Sequence, residues 1–219
     1  MPDARRRAPS RPRAASPEGE PEKRRAILHA ALRVFADKGY HGCRIADVAR
    51  QAGVAYGLVY HYFRDKDELL ESVIEEQWAI LVGAIRAIAD GPGGAAEKVA
   101  SVIRFALDVF RTAPAAVRVL ILEVPRTPGG LRAGGTRQTF DTALHLVADI
   151  VQRGQAAGEL RRDVDPAVAA ASVLGILDMN IAGMVTGLLT APQPTEEELE
   201  RMRNQIVAVA LQAIAAPRG

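Results

Sequence analysis

The residue types that most often hold metals or do covalent chemistry are few and dispersed in this chain. There are four histidines, His29, His41, His61 and His145, and one cysteine, Cys43. No two histidines have the HExxH spacing that sets two imidazoles on one helical face, and a lone cysteine supplies neither an internal disulfide nor a multi-thiolate metal site. The glycine-rich stretches GPGG at 91–94 and PGG at 128–130 lack the Lys-Ser/Thr sequel of a phosphate-cradling loop. No catalytic residue, metal ligand or cofactor is therefore expected, and the chain is not expected to be an enzyme. A single cysteine also suits a reducing compartment, the cytoplasm.

The chemistry that remains is recognition of a polyanion. The net charge of +2 conceals a gradient: residues 1–67 carry 14 Lys/Arg against 8 Asp/Glu, and residues 68–219 carry 14 against 18. A basic first third on an acidic remainder suits a polyanion-binding head attached to a separate body. Five arginines (Arg5, Arg6, Arg7, Arg11 and Arg13) fall in a Pro-, Ala- and Ser-rich stretch. Residues 1–21 are expected to form a disordered basic tail.

The informative segment is RIADVARQAGVAYGLVYHYF, residues 44–63. Two helices that cross steeply after a short turn need a small residue where their backbones meet, and Ala49 supplies it. The chain must then reverse through a position that tolerates positive φ, where Gly53 stands. The second helix must return an apolar side chain to the crossing, and Val59 is placed to do so, with Val48, Ala52 and Val54 completing a small core. This spacing predicts a helix-turn-helix, whose second helix enters the major groove of DNA.

With FADKGY at 35–40 before this segment and KDELL at 66–70 after it, residues 22–83 resemble the DNA-binding domain of the TetR (tetracycline repressor) family of bacterial regulators. Cys43-Arg44 stand where the family usually has threonine at the start of its second helix. Arginine retains the ability to hold a phosphate but not the local hydroxyl hydrogen bond. The resemblance implies DNA contacts from Arg44, Ala46, Tyr56, Gly57, Leu58, Tyr60, His61, Tyr62 and Lys66. Phe63 and Val59 belong to the core. Tyr60 and Tyr62 also have a plainer role open to them, packing between helices. With few long polar side chains on the reading helix, specificity is expected to lean on apolar thymine contacts and DNA shape.

Elements must position these residues, and the composition favours helices: 48% hydrophobic, 25% charged and only 5% aromatic. Periodicity and punctuation predict an all-α fold of nine helices, over 22–38, 44–52, 56–63, 66–89, 95–111, 114–124, 138–158, 166–190 and from Thr195 to about Ala216. Gly39 is read as a C-terminal stop, Asp65 as an N-cap, Pro166 as a first-turn proline and Thr195 with Glu198 as a capping box. Residues 125–135 read as a loop. Residues 22–67 are assigned to the DNA-binding head and 68–219 to a ligand-binding and dimerisation body.

The apolar run Ala167–Thr190 is long enough to span a bilayer. Asp178 and Asn180 sit at its middle, where an acid costs about 2.5–3.5 kcal/mol on insertion scales. A bundle helix is expected, with no membrane partner. Gly183 and Gly187 are read as a small pair admitting another helix. Met202, Ile206, Val209, Ala210 and Ala213 form a stripe on the last helix. These two helices are expected to form a homodimer seam, as the resemblance also implies. Within the body, Trp78, Arg104, Phe105, Arg118, Phe140, His145, Asp178, Met179 and Met184 are candidate contacts for a hydrophobic small-molecule effector, with Asp178 alternatively at the dimer seam.

The resemblance implies a repressor that binds a palindromic DNA operator as a dimer. The effector would release it by spoiling the fit of the two heads to half-sites about 34–36 Å apart. VAYGLVYHYF is similar to family members that sense fatty acyl-CoA, and a multidrug-type or aromatic effector stays open. The alternative reading is a DNA-binding regulator controlled by a protein partner or by redox at Cys43.

Overall fold

A computed structural model describes residues 20–122, 134–190 and 194–216, with side chains from residue 137 in the second stretch. The basic tail, up to residue 19, and most of the loop expected over 125–135 lie outside the described residues. Among those described there are nine helices and no strand, only an isolated bridge between Leu160 and Ala215. The helices are α1 (Glu20–Gly42), α2 (Ile45–Ala52), α3 (Tyr56–Tyr62), α4 (Lys66–Asp90), α5 (Ala95–Thr112), α6 (Pro114–Leu122), α7 (Gly134–Ala157), α8 (Pro166–Val185) and α9 (Glu196–Ile214). The all-α fold class is as the periodicity predicts.

Local chemistry accounts for most boundaries. Asp65 caps α4 by accepting the Glu68 N–H at 2.9 Å, and Asp165 caps α8 by accepting from Ala167 and Val168. Thr195 and Glu198 close the reciprocal capping box on α9. Three boundaries differ from expectation. Gly39 has φ 68° and ψ 167° yet does not end α1, because helical turns resume as far as Gly42, so it is a kink. Helix α7 begins at Gly134, four residues before the expected start. Helix α8 stops at Val185, not Thr190, because Gly187 turns left-handed at φ 75° and Leu188 and Leu189 fold back to donate to the Gly183 carbonyl.

That fold-back also corrects the role of the glycine pair. A Cβ on Gly183 would lie 2.6 Å from the Leu189 side chain of its own turn, so the missing side chain admits that leucine and not another helix. Gly187 lies outside the helix altogether. The open small residue on α8 is Gly175, where an added Cβ would meet nothing within 4 Å. Helix α8 has the length and composition of a membrane span, but Ala169, Ala170, Val173, Leu177, Ile181 and Met184 are buried in the body.

Two cores organise the chain. The head core gathers Ile27, Leu28, Val34 and Phe35 of α1, Cys43, Ile45, Val48 and Ala49 around α2, and Val59 and Phe63 around α3. It also takes Leu69, Leu70, Val73 and Ile74 from the first half of α4 and Val119 from α6. The body core is built on α5, α7, α8 and α9, completed by Ile85 and Ala89 from the end of α4 and Val117 from α6. Helices α4 and α6 therefore belong to both cores. A division at 67/68 falls at the start of a helix that the two halves share.

Candidate functional site

The helix-turn-helix corner is built as its spacing predicts. Ala49 and Val59 are 4% and 1% exposed at the crossing of α2 and α3, and Gly53 caps α2 in the left-handed conformation, φ 67° and ψ 31°. Val59 and Phe63 turn inward and fix the rotation of α3. That rotation leaves Tyr56, Gly57, Tyr60 and His61 exposed on one face, with Leu58 and Tyr62 half-buried at its flanks. Tyr62 packs against the head core, the plainer of its two expected roles.

Tyr56 and Tyr60 stand edge to face with centroids 5.2 Å apart, and the Tyr56 hydroxyl donates to that of Tyr60 at 3.2 Å. The contact with Tyr56, followed by desolvation, raises the Tyr60 pKa, so the phenol stays neutral. No long polar side chain projects from this face; an added Cβ at Gly57 would meet nothing within 4 Å.

Arg44 is exposed at the N-cap of α2. The capping box is made by the Asp47 carboxylate, which accepts the Arg44 backbone N–H at 3.4 Å, while the Asp47 N–H is donated to the Arg44 carbonyl at 2.9 Å. Asp47 also pairs with Lys38 at 3.0 Å and with Arg50, and Lys38 first among these holds its pKa below the ordinary carboxylate value. Lys38 and Arg50 are thus partly neutralised. The Arg44 guanidinium has no ion-pair or hydrogen-bond partner among the described residues, which leaves it a cation at the edge of the reading face. Ala46 is exposed in the first turn of α2.

Lys66 is turned toward the fold. Its ammonium donates to the carbonyls of Tyr40 at 2.9 Å and Cys43 at 3.2 Å, and lies 4.2 Å from the centre of the Tyr40 ring. The Tyr40 hydroxyl in turn donates to Asp67, and burial, followed by that bond, pushes its pKa up to about 12. Cys43 is 2% exposed, and burial pushes its thiol up to about 11. A thiol so protonated and enclosed is a poor redox sensor. Tyr40 and Arg64 had no role in the sequence reading, though Tyr40 lies within FADKGY. Arg64 is exposed just beyond α3, paired with Asp65 at 2.9 Å.

The nine expected effector contacts do not converge on one cavity. Trp78 on α4 and Phe140 on α7 meet edge to face, 6.0 Å between centroids, and the buried Trp78 Nε1 has no hydrogen-bond partner among the described residues. His145 lies farther along α7 in an open groove of about 580 Å³ with Arg86, Arg137 and Asp141. Its Nδ1 is 2.6 Å from the Asp141 carbonyl, which leaves Nε2 for an outside partner. The rest point elsewhere. Arg104 pairs with Glu97 at 2.8 Å, Arg118 donates to the Ala36 carbonyl of α1, and Met184 is buried in the body core. Phe105 is half-buried on α5. Asp178 and Met179 are exposed on α8, Met179 at 68%. Spacing along a helix finds amphipathic positions but not which of several neighbours each one faces.

Two family models match the chain: bacterial regulatory proteins of the tetR family over residues 27–73, and the tetracyclin repressor-like C-terminal domain over residues 96–209. The chain belongs to the TetR family. It is a helix-turn-helix transcriptional regulator, and the control by redox or a protein partner weighed from sequence is not favoured. The fatty acid metabolism regulator protein of Bacillus subtilis (strain 168) is 27% identical over 159 residues, 73% of this chain and 81% of that protein. The HTH-type transcriptional repressor KstR2 of Mycolicibacterium smegmatis is 25% identical over 150 residues, 68% and 73% of the two chains. Among solved structures, the regulator FadR from Bacillus subtilis in complex with stearoyl-CoA has a TM-score of 0.76 and 25% identity, covering 87% of this chain and 98% of that one. AibR, solved with isovaleryl coenzyme A and operator DNA, shares the fold with a TM-score of 0.69 at 20% identity, over 85% and 97% of the two chains.

Proposed function

We propose that the protein is a cytoplasmic, homodimeric repressor that leaves its operator when a fatty acyl-CoA binds the body. The observation that carries the proposal is that α4 and α6 contribute to both cores: Ile74 and Val119 lie in the head, Ile85 and Val117 in the body. A molecule that spreads the body helices must move residues on which the head is packed, and a packed core resists continuous deformation. By linkage, operator DNA weakens the effector by the same factor, typically worth about 1–3 kcal/mol.

The reading assigns residues 22–67, with the first half of α4, to DNA binding. Arg44, Ala46, Tyr56, Gly57, Leu58, Tyr60 and His61 face the duplex, with Tyr62 at the rim. The outer surface of α8 and α9 carries Val168 at 57%, Met179 at 68% and Val209 at 54% exposure around the open Gly175, which supports a two-fold seam there. Asp178 would lie on that seam. Two-fold symmetry then presents two reading helices to a palindrome.

The acyl-CoA class rests on the likeness to the stearoyl-CoA-bound FadR and to the fatty acid metabolism regulator. Trp78 and Phe140 supply an apolar ring pair with an unused indole donor, and Arg86, Arg137 and His145 line the open groove farther along α7, which suits a polar headgroup. The test is release of a labelled operator duplex, selected by the full chain from a random pool, during titration with stearoyl-CoA. Release with a matching loss of stearoyl-CoA affinity on the DNA complex supports the reading. Tight stearoyl-CoA binding with unchanged operator affinity, or no binding at all, refutes it.

A further inference from the structure

We infer that Lys66 is a positioning residue for DNA binding: by holding the Tyr40 and Cys43 carbonyls it sets where α2 begins, and it does not act as a phosphate contact. Both carbonyls lie in the short passage from the kinked end of α1 to the N-cap of α2. Cys43 immediately precedes Arg44, the exposed cation at the edge of the reading face. The Cys43 N–H already bonds back to the carbonyls of Gly39 at 3.1 Å and Tyr40 at 3.3 Å. A carbonyl has two lone pairs, so Tyr40 O accepts both that N–H and the Lys66 ammonium at 2.9 Å.

The ammonium is further fixed over the Tyr40 ring, whose hydroxyl is bonded to Asp67, the next residue of α4. Two consecutive residues of the first turn of α4 therefore grip one corner of the head through a cation, two carbonyls and a phenol. An ammonium has three N–H groups, and two of them are engaged within the fold. The grip is also the point at which the helix shared by both cores reaches the residues that enter the DNA interface. A displacement of α4 passes through it to Arg44.

The two roles respond differently to charge. A phosphate contact needs the positive charge and contributes about 0.9 to the slope of log affinity against log salt. A positioning contact needs a hydrogen-bond donor at that place and leaves the slope alone. Operator affinity is measured from 50 to 300 mM salt for the full chain, Lys66→Met, Lys66→Gln and Arg44→Met, on the duplex selected by the full chain. Lys66→Met is expected to weaken binding about tenfold with the wild-type slope, as for the loss of hydrogen bonds made by a charged donor. Lys66→Gln, a neutral donor, is expected to recover most of that loss, again with the wild-type slope. Arg44→Met is the control whose slope flattens.

A flattened slope for both Lys66 variants, with equal losses, would show a phosphate contact and overturn the inference. Unchanged affinity in Lys66→Met would overturn it as well. Should Lys66→Met fail to fold, Lys66→Gln alone decides, because charge removal without loss of affinity or slope excludes the phosphate role.

Discussion

The head and the body are made of the same material, apolar residues on helices, yet they constrain their residues to very different degrees. In the head, two short helices, α2 and α3, meet at a tight corner where a few positions admit only one kind of occupant. Gly53 sits at positive φ, Ala49 lies at the crossing, and Val59 and Phe63 set the rotation of a seven-residue reading helix. In the body, helices of up to 24 residues pack together and many apolar side chains would serve at each site. The difference explains why one half of a regulator of this kind is recognisable from a short motif while the other varies with what it senses.

The contrast breaks most clearly by emptying the head. Phe63→Ala removes a buried ring and should lower stability by about 3–5 kcal/mol. Denaturant unfolding should show this together with loss of operator binding, while stearoyl-CoA uptake, followed by calorimetry, persists in the fraction still folded. Loss of both activities at equal stability would mean that the halves are not separable in function.

Two glycines sharpen it further. Gly53→Ala should cost about 1–2 kcal/mol, since its left-handed backbone penalises any Cβ even where space is open. Gly57→Ala lies in a regular helix with open space around it, and should stabilise the free protein by roughly 0.5–1 kcal/mol. It should nevertheless weaken operator binding, because a methyl group holds the duplex away from the backbone. Thermal melts and DNA titrations of the two variants should therefore rank them oppositely in stability.

Asp178 gives a smaller effect, and one of opposite sign to the usual carboxylate. Although its side chain reaches solvent, partial desolvation on α8 raises its pKa above the ordinary 3.8, so the folded state disfavours the charged form. Its stability contribution is intact below pH 3.8 and is lost as pH rises through the raised folded value. Asp178→Asn should match the wild type at pH 3 and melt higher at pH 7. An equal effect at both pH values would mean that packing, not charge, matters there. Least of all should change at Cys43: native protein at pH 8 should resist iodoacetamide, and Cys43→Ser should leave the oxidant response of DNA binding unaltered.

Legibility followed the same divide. The corner at Gly53 and the inward Val59 were readable because a turn and a crossing each demand a particular residue type. Gly183 was misread because a glycine reports close approach without saying of what, and the neighbour proved to be Leu189 of its own turn. The effector residues were unreadable in kind: Trp78 meets Phe140 across two helices, whereas Arg104 and Met179 have comparable spacing and face other surfaces. The bridging part played by α6 left no sequence signal, since Val117 and Val119 are ordinary valines that enter different cores. Helical spacing places Lys66 on α4 but does not show that its ammonium turns inward to the Tyr40 and Cys43 carbonyls.

The sharing of α4 and α6 has a bearing on how such a protein fails in the cell. A protease that cut just after residue 67 would take Leu69, Leu70, Val73, Ile74 and Val119 out of the head along with the sensing half. A fragment of that size has little apolar surface to lose, and what remained would unfold and be degraded. Damage therefore silences the molecule: no truncated remnant stays on the DNA, deaf to its signal.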